Sequence, residues 1–176
     1  MLSNLQIKNI DRTFHVLDQD HDGRIGWTDF EEAQAGILQQ SRRPPDAPQV
    51  RNLHDAYLSV WQHIRDFADA DHDDLVTEAD YRAAYEQRHG FGAQLVAKWG
   101  RCAEATFDVL DTDGDGYLSQ SEVTAIFLSA GLEPEIARMA FRSIDLDGDG
   151  RVDRDEWRQS VCSHFTATED SMMKGQ

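Results

Sequence analysis

The chain has 176 residues, enough for one sizeable domain or two small packed lobes, and 40% of them are hydrophobic, which supports a folded core rather than disorder. Its formal net charge is −16. That excess argues against a bare surface that holds nucleic acid or an anionic membrane, and it suits a chain that gathers cations.

Residues 3–17 read as a helix, with Ile10, Phe14 and Leu17 recurring on one apolar face. No basic start followed by an apolar run opens the sequence, so no secretory leader is expected, and Leu2 stands where N-myristoylation needs glycine. The helix runs into an acidic turn from Asp18 to Asp29. A hard dication such as Ca²⁺ takes about six to eight oxygens, and a loop of about 12 residues supplies them from positions 1, 3, 5, 7, 9 and 12, with glycine at position 6 for the turn. Asp18, Asp20 and Asp22 fill the first three positions, Gly23 sits at the turn, Arg24 offers its backbone carbonyl and Asp29 closes the loop. Aspartate is one methylene shorter than glutamate, so this loop is expected to hold Ca²⁺ more weakly or to discriminate less against Mg²⁺. Gly26 at position 9 has no side chain, so a water must serve there.

The outgoing helix is expected from Phe30 to about Gln40. Pro44 and Pro45 cannot continue it, Asp46 is placed to cap the next helix, and Pro48 suits that helix's first turn. The next helix spans about 48 to 68, with Leu53, Tyr57, Val60, Trp61 and Ile64 at helical spacing. A second acidic loop, Asp69 to Asp80, departs from the pattern. Asp74 replaces the glycine at position 6, Asp80 closes it, and the incoming helix reads out of phase. Arg65 and Ala68 stand where the other helices carry apolar residues, and Phe67 lies two residues back. We read this unit as retained for pairing, its metal lost or weakened.

The run His89, Gly90, Phe91, Gly92 breaks the next helix and marks the lobe boundary, dividing the chain into 1–90 and 91–165. A helix from about 93 to 110 leads into a loop that matches in full: Asp111, Asp113 and Asp115, the turn glycine Gly116, the carbonyl of Tyr117, Ser119 at position 9 and Glu122 at position 12. A helix from about 120 to 130 follows, Gly131 sits where a C-cap glycine belongs, and Pro134 opens a short helix. The fourth loop also matches, with Asp145, Asp147, Asp149, the carbonyl of Arg151, an additional carboxylate from Asp153 and Glu156. A last helix runs to about Phe165, and the 166–176 tail shows no pattern and is expected to fray.

In each unit position 9 is the N-cap of the outgoing helix and position 12 is N3, so Ser119 and Glu122 also have capping-box spacing. Position 8 should pair across loops, Ile25 with Val76 and Leu118 with Val152. Cys102 and Cys162 lack CxxC spacing and read as buried free thiols. No stretch approaches the ~18 apolar residues of a membrane span, which with the cysteine usage points to the cytoplasm.

Four helix–loop–helix units, with loops starting at 18, 69, 111 and 145, resemble the EF-hand family. The loop starts lie 51, 42 and 34 residues apart, and this stretched first half with a weak second hand looks like the sarcoplasmic calcium-binding proteins, especially their bacterial relatives of the calerythrin type. The resemblance implies an all-α fold of four EF-hands in two packed lobes, with one hand commonly empty. It also implies ligand roles in the first, third and fourth loops. The expected function is an intracellular Ca²⁺ buffer with about three filled sites, a monomer with calcium ions as its partners. The alternative is a sensor that regulates an unidentified protein partner. Methionine is sparse, and only Met139 lies inside a hand, which favours a closed molecule over an adaptable groove. A carrier cavity lined by tryptophans and His15 or His63 is less favoured than a packing face. No nucleophile–base pattern, phosphate loop or H-E-x-x-H suggests an enzyme.

Overall fold

The computed structural model describes residues 2–129 and 132–166. Ser3 caps the first helix, α1 (Asn4–Leu17): its hydroxyl accepts the Gln6 amide at 3.2 Å, and Gln6 Oε1 accepts the Ser3 amide at 2.8 Å. This satisfies two amides that a helix start otherwise leaves open. Then follow β1 (Arg24–Ile25), α2 (Trp27–Ser41), α3 (Pro48–Ala68), β2 (Val76–Thr77) and α4 (Glu78–Gln87). The second half repeats the scheme with α5 (Phe91–Leu110), β3 (Leu118–Ser119), α6 (Gln120–Ser129), α7 (Pro134–Ile144), β4 (Arg151–Val152) and α8 (Arg154–Thr166). The strands are two-residue antiparallel bridges joining loops in pairs. Ile25 faces Val76 and Leu118 faces Val152, as the position-8 spacing predicts, and all four side chains are fully buried.

The fold is all-α, and its two lobes are packed on each other. Helix α3 lies along α5, α5 packs on α8, and α2 touches α3, α5 and α6. The core is therefore continuous. At its centre Phe30 meets Trp61 at 5.8 Å and stacks near Trp99 at 6.5 Å, while Tyr57 meets Trp99 edge-on at 5.8 Å. Edge-to-face and offset aromatic pairs add about 0.5–1.5 kcal/mol each beyond the area they bury. Trp157 is also buried and donates its indole N–H to the Ala103 carbonyl at 3.1 Å.

Several local expectations need correction. Helix α2 begins at Trp27, not Phe30, because Gly26 is already its N-cap. Helix α3 is capped by Ala47 with no side-chain bond, and Asp46 stays exposed one residue too early; Pro48 alone presets the first turn. Helix α5 begins at Phe91. Gly90, at φ 79°, makes the break by itself, and burial of the Phe91 ring draws the next residues into the helix. The phase before the second loop is less disturbed than its sequence suggests: Ala68 and Ile64 are buried, Arg65 is half-buried, and Phe67 is exposed beside Asp66. Both cysteines are free, but only Cys102 is fully buried, its thiol pushed up to about 12 chiefly by burial; Cys162 is half-buried. The expected Gly131 cap and nearly all of the expected frayed tail lie outside the described residues. Among the described residues no helix is long and apolar enough to cross a membrane.

His63 ties the start of α5 to α3. Its Nε2 lies 3.1 Å from the Phe91 carbonyl, and its ring stacks on Phe91 at 5.1 Å. Burial lowers its pKa below 6.5, reinforced by Lys98 and opposed by the Phe91 carbonyl and Asp66. The unfolded chain therefore takes up this proton first as pH falls. His63 contributes stability above about pH 6.5 that is lost progressively below it. In chelator, melting should weaken between pH 7.5 and 5.5, and His63→Asn should flatten that slope; an unchanged slope would show that other groups carry it.

Candidate metal centres

Each loop is built by its own carboxylates accepting its own amides. In the first, Asp18 accepts the Asp22 and Gly23 amides at 3.1 and 3.0 Å, Asp20 accepts Asp22 at 3.0 Å, and Asp22 accepts Arg24 at 2.8 Å. In the third, Asp111 accepts Gly114 and Gly116 at 2.8 and 3.1 Å, Asp113 accepts Asp115, and Asp115 accepts Tyr117. The fourth repeats this with Asp145 on Gly148 and Gly150, Asp147 on Asp149, and Asp149 on Arg151. These short local bonds are why alternate aspartates wind the chain inward.

The winding brings Asp18, Asp20 and Asp22 together, likewise Asp111, Asp113 and Asp115, and in the fourth loop Asp145, Asp147 and Glu156. Within each group the carboxylate oxygens lie within 4.8 Å of one another. Oxygens at Ca²⁺ bonding distance from one ion can lie at most about 5 Å apart, so the donor sets fit that cation. Asp18 and Asp111 are buried besides. Like charges this close repel unless a cation joins them. Asp29, Glu122 and Asp149 lie outside these tight groups, and Arg24, Tyr117 and Arg151 can contribute only their backbone carbonyls, as expected from position 7.

Position 12 closes the loop onto two amides. Glu122 accepts the Thr112 amide through Oε1 at 3.0 Å and the Ser119 amide through Oε2 at 2.9 Å; Glu156 accepts Leu146 at 2.8 Å and Asp153 at 2.9 Å. The Ser119 hydroxyl completes the capping box on the Glu122 amide at 3.3 Å. Burial pushes the Glu122 carboxyl up, but the Ser119 and Thr112 amides and hydroxyls outweigh it and hold it below the usual range. Asp29, despite its shorter arm, reaches the same two places: Gln19 at 2.8 Å and Gly26 at 2.7 Å. It does so by sitting deeper, buried where both glutamates are half-exposed. Gly26 is bare for a second reason besides water access. A Cβ there would stand 3.1 Å from the Leu75 side chain of the paired loop, which would have to shift by a few tenths of an ångström to admit it.

The second loop differs at its end rather than its start. Asp69, Asp71 and Asp73 converge like the others, and Asp74 accepts the left-handed turn at φ 61°. The Asp80 carboxylate, however, accepts only the Thr77 hydroxyl among the described residues, at 2.5 Å, while the Asp80 amide donates back to that hydroxyl at 3.3 Å, so position 12 does not close the loop across to Ala70. Arg65, the residue that broke the apolar phase, lies 3.7 Å from Asp74. The sequence pattern also misses position 4. His21 and His72 hold φ of 59° and 61°, where the second lobe uses Gly114 and Gly148. A motif that leaves position 4 free carries no signal for this, although histidine is among the residues enriched in that region.

Such geometry, repeated four times with paired loops, belongs to one known class of unit. The profile of an EF-hand domain pair matches residues 101–162, and that of a single EF hand matches residues 10–32. The chain carries EF-hand sequence in both of its halves. Calcium is the ion its loops take. A rice protein described as probable calcium-binding protein CML21 is 28% identical over 164 residues, covering 86% of this chain and 77% of its own. Calerythrin from Saccharopolyspora erythraea is 23% identical over 176 residues, covering 94% and 95%. A Streptomyces coelicolor calcium-binding protein superposes with a TM-score of 0.77 at 25% identity, over 92% of this EF-hand chain and 98% of that one. The similarity to calerythrin agrees with the unequal loop spacing.

Proposed function

We propose that this EF-hand chain fills three loops with Ca²⁺ and acts as an intracellular buffer. Its ligands would be Asp18, Asp20, Asp22, the Arg24 carbonyl and Asp29 in the first loop. In the third they would be Asp111, Asp113, Asp115, the Tyr117 carbonyl and Glu122, and in the fourth Asp145, Asp147, Asp149, the Arg151 carbonyl and Glu156. The observation that carries this reading is the closure at position 12: three loops have it, and the Asp69–Asp80 loop does not. The three bound dications would bring the formal charge from −16 to −10. Mg²⁺ competes best in the first loop, where the closing carboxylate is the shortest. The continuous core and the scarcity of methionine support a molecule that closes around metal instead of opening to a partner. A carrier role has little room. The apolar cavity between Leu17, Phe30, Tyr57 and Trp99 holds about 200 Å³, below the ~300 Å³ where ligand pockets begin.

One observation favours the sensor reading. Leu128, Ile136 and Met139, on α6 and α7, are 46, 51 and 65% exposed. The Streptomyces relative is itself described in terms of calcium-mediated regulation. The two readings separate on an apolar dye such as ANS, with and without Ca²⁺. A buffer should show no gain or a loss of dye fluorescence on adding metal, whereas a large gain would establish an opening groove.

A further inference from the structure

The linker after α2 holds an arginine with no role in either metal pattern. Ser41 ends α2, its hydroxyl donating to the Leu38 carbonyl at 2.9 Å and accepting the Arg43 amide at 3.3 Å. Arg42 takes the left-handed conformation at φ 52°, and the reversal sends Arg43 into the other lobe. There Nε donates to the Val109 carbonyl at 3.0 Å and Nη2 donates to the Asp111 carbonyl. Carbonyls at a helix C-terminus lack partners within the helix, and a cation is favoured there.

The Asp111 carbonyl belongs to the same peptide unit as the Thr112 amide. That amide donates to Glu122 Oε1 at 3.0 Å. One planar group is therefore held at its oxygen by Arg43 and at its nitrogen by the carboxylate that closes the third loop. A cation on the oxygen polarises the peptide and strengthens the bond made by its N–H. Among the described residues no side chain holds the corresponding carbonyl of Asp18, Asp69 or Asp145. From the other side, Arg154, just after position 9 of the fourth loop, donates to Asp108 at 2.6 Å and lies over the Phe107 ring at 4.4 Å. The last turn of α5 is thus gripped by one arginine from each lobe. Helix α2, which ends two residues before Arg43, is the outgoing helix of the first loop and packs on α5 and α6.

The geometry points to Arg43 as the positioning residue through which metal in the first loop raises the affinity of the third. This rests on the reading that both loops fill. Any shift of α2 on filling the first loop is delivered through the rigid guanidinium to the 111–112 peptide, and so to Glu122. By linkage the third loop acts back on the first to the same degree.

The test is a Ca²⁺ titration of the full chain followed by NMR at the Gly23, Gly116 and Gly150 amides. Each donates to the first aspartate of its own loop and so reports that loop alone. In the wild type, Asp29→Asn should raise the Ca²⁺ needed to shift Gly116 by about fivefold or more, the low end of typical coupling between sites. In an Arg43→Ala background Gly116 should be weakened from the outset, and Asp29→Asn should add nothing. Arg43→Lys, which keeps the charge but cannot bridge both carbonyls, should fall between. A purely structural arginine would lower affinity without abolishing the effect of Asp29→Asn, so equal shifts in both backgrounds would overturn the coupling alone. A Gly23 amide unmoved by Ca²⁺ in the wild type would overturn the filling of the first loop and the coupling with it.

Discussion

Replacing Glu122 by glutamine should cost the third loop about a hundredfold in Ca²⁺ affinity or more, because ligand charge and a bidentate closing carboxylate set the strength of such loops. Glu122 is also the group on which the Thr112 and Ser119 amides converge, so the change weakens the closure of the loop as well as the ligand set. Glu156→Gln should act alike through Leu146 and Asp153. Asp80→Asn, by contrast, should change total Ca²⁺ uptake by less than about twofold in affinity, since a carboxylate that does not close its loop supplies no bidentate ligand. Its partner in the structure is the Thr77 hydroxyl, a contact that an amide oxygen can also accept. Calorimetric titration of the three variants decides it: comparable losses for Asp80→Asn and Glu122→Gln would mean that the second loop is filled.

Calcium should also raise the melting temperature steeply. A ligand at a hundred times its Kd stabilises the folded state by about 2.7 kcal/mol per site, so three sites give about 8 kcal/mol. At about 2–4 °C per kcal/mol for a chain of this size, the shift should be roughly 15–30 °C between chelator and Ca²⁺. The direction follows from the same crowding of charge that forms the sites: Asp18 and Asp111 are buried beside other carboxylates, and the apo fold must hold them there against repulsion. Scanning calorimetry in chelator and in millimolar Ca²⁺ measures this directly, and superimposable melting curves would end the metal-binding reading.

The loops were legible because their rules are local. Aspartates two apart accept amides two residues on, a glycine takes the turn, and a glutamate at position 12 returns to the start; all of this lies within a dozen residues. Position-8 pairing followed from counting. What escaped depends on longer reach or on tolerance. Asp74 holds a left-handed turn that the motif assigns to glycine, so the start of the second loop winds normally and the departure falls at Asp80 instead. Asp29 compensates for its short arm by burial, and it still reaches the Gln19 and Gly26 amides. Asp46 failed as a cap because sequence alone does not fix the cap to the residue, and Ala47 took the place. Arg43 was invisible for a simpler reason: its partners lie 66 and 68 positions away.

The aromatic centre formed by Phe30, Tyr57, Trp61 and Trp99 has one more consequence. Because it is built from both halves, neither half keeps its interior when the other opens. The described residues should then unfold as a single unit, and an ion bound in either pair of loops should slow the exposure of peptide bonds in both. A protease cutting the calcium-free chain near Gly90 would attack a molecule already coming apart at both ends, whereas metal in the second pair of loops alone would shield that same bond from a distance.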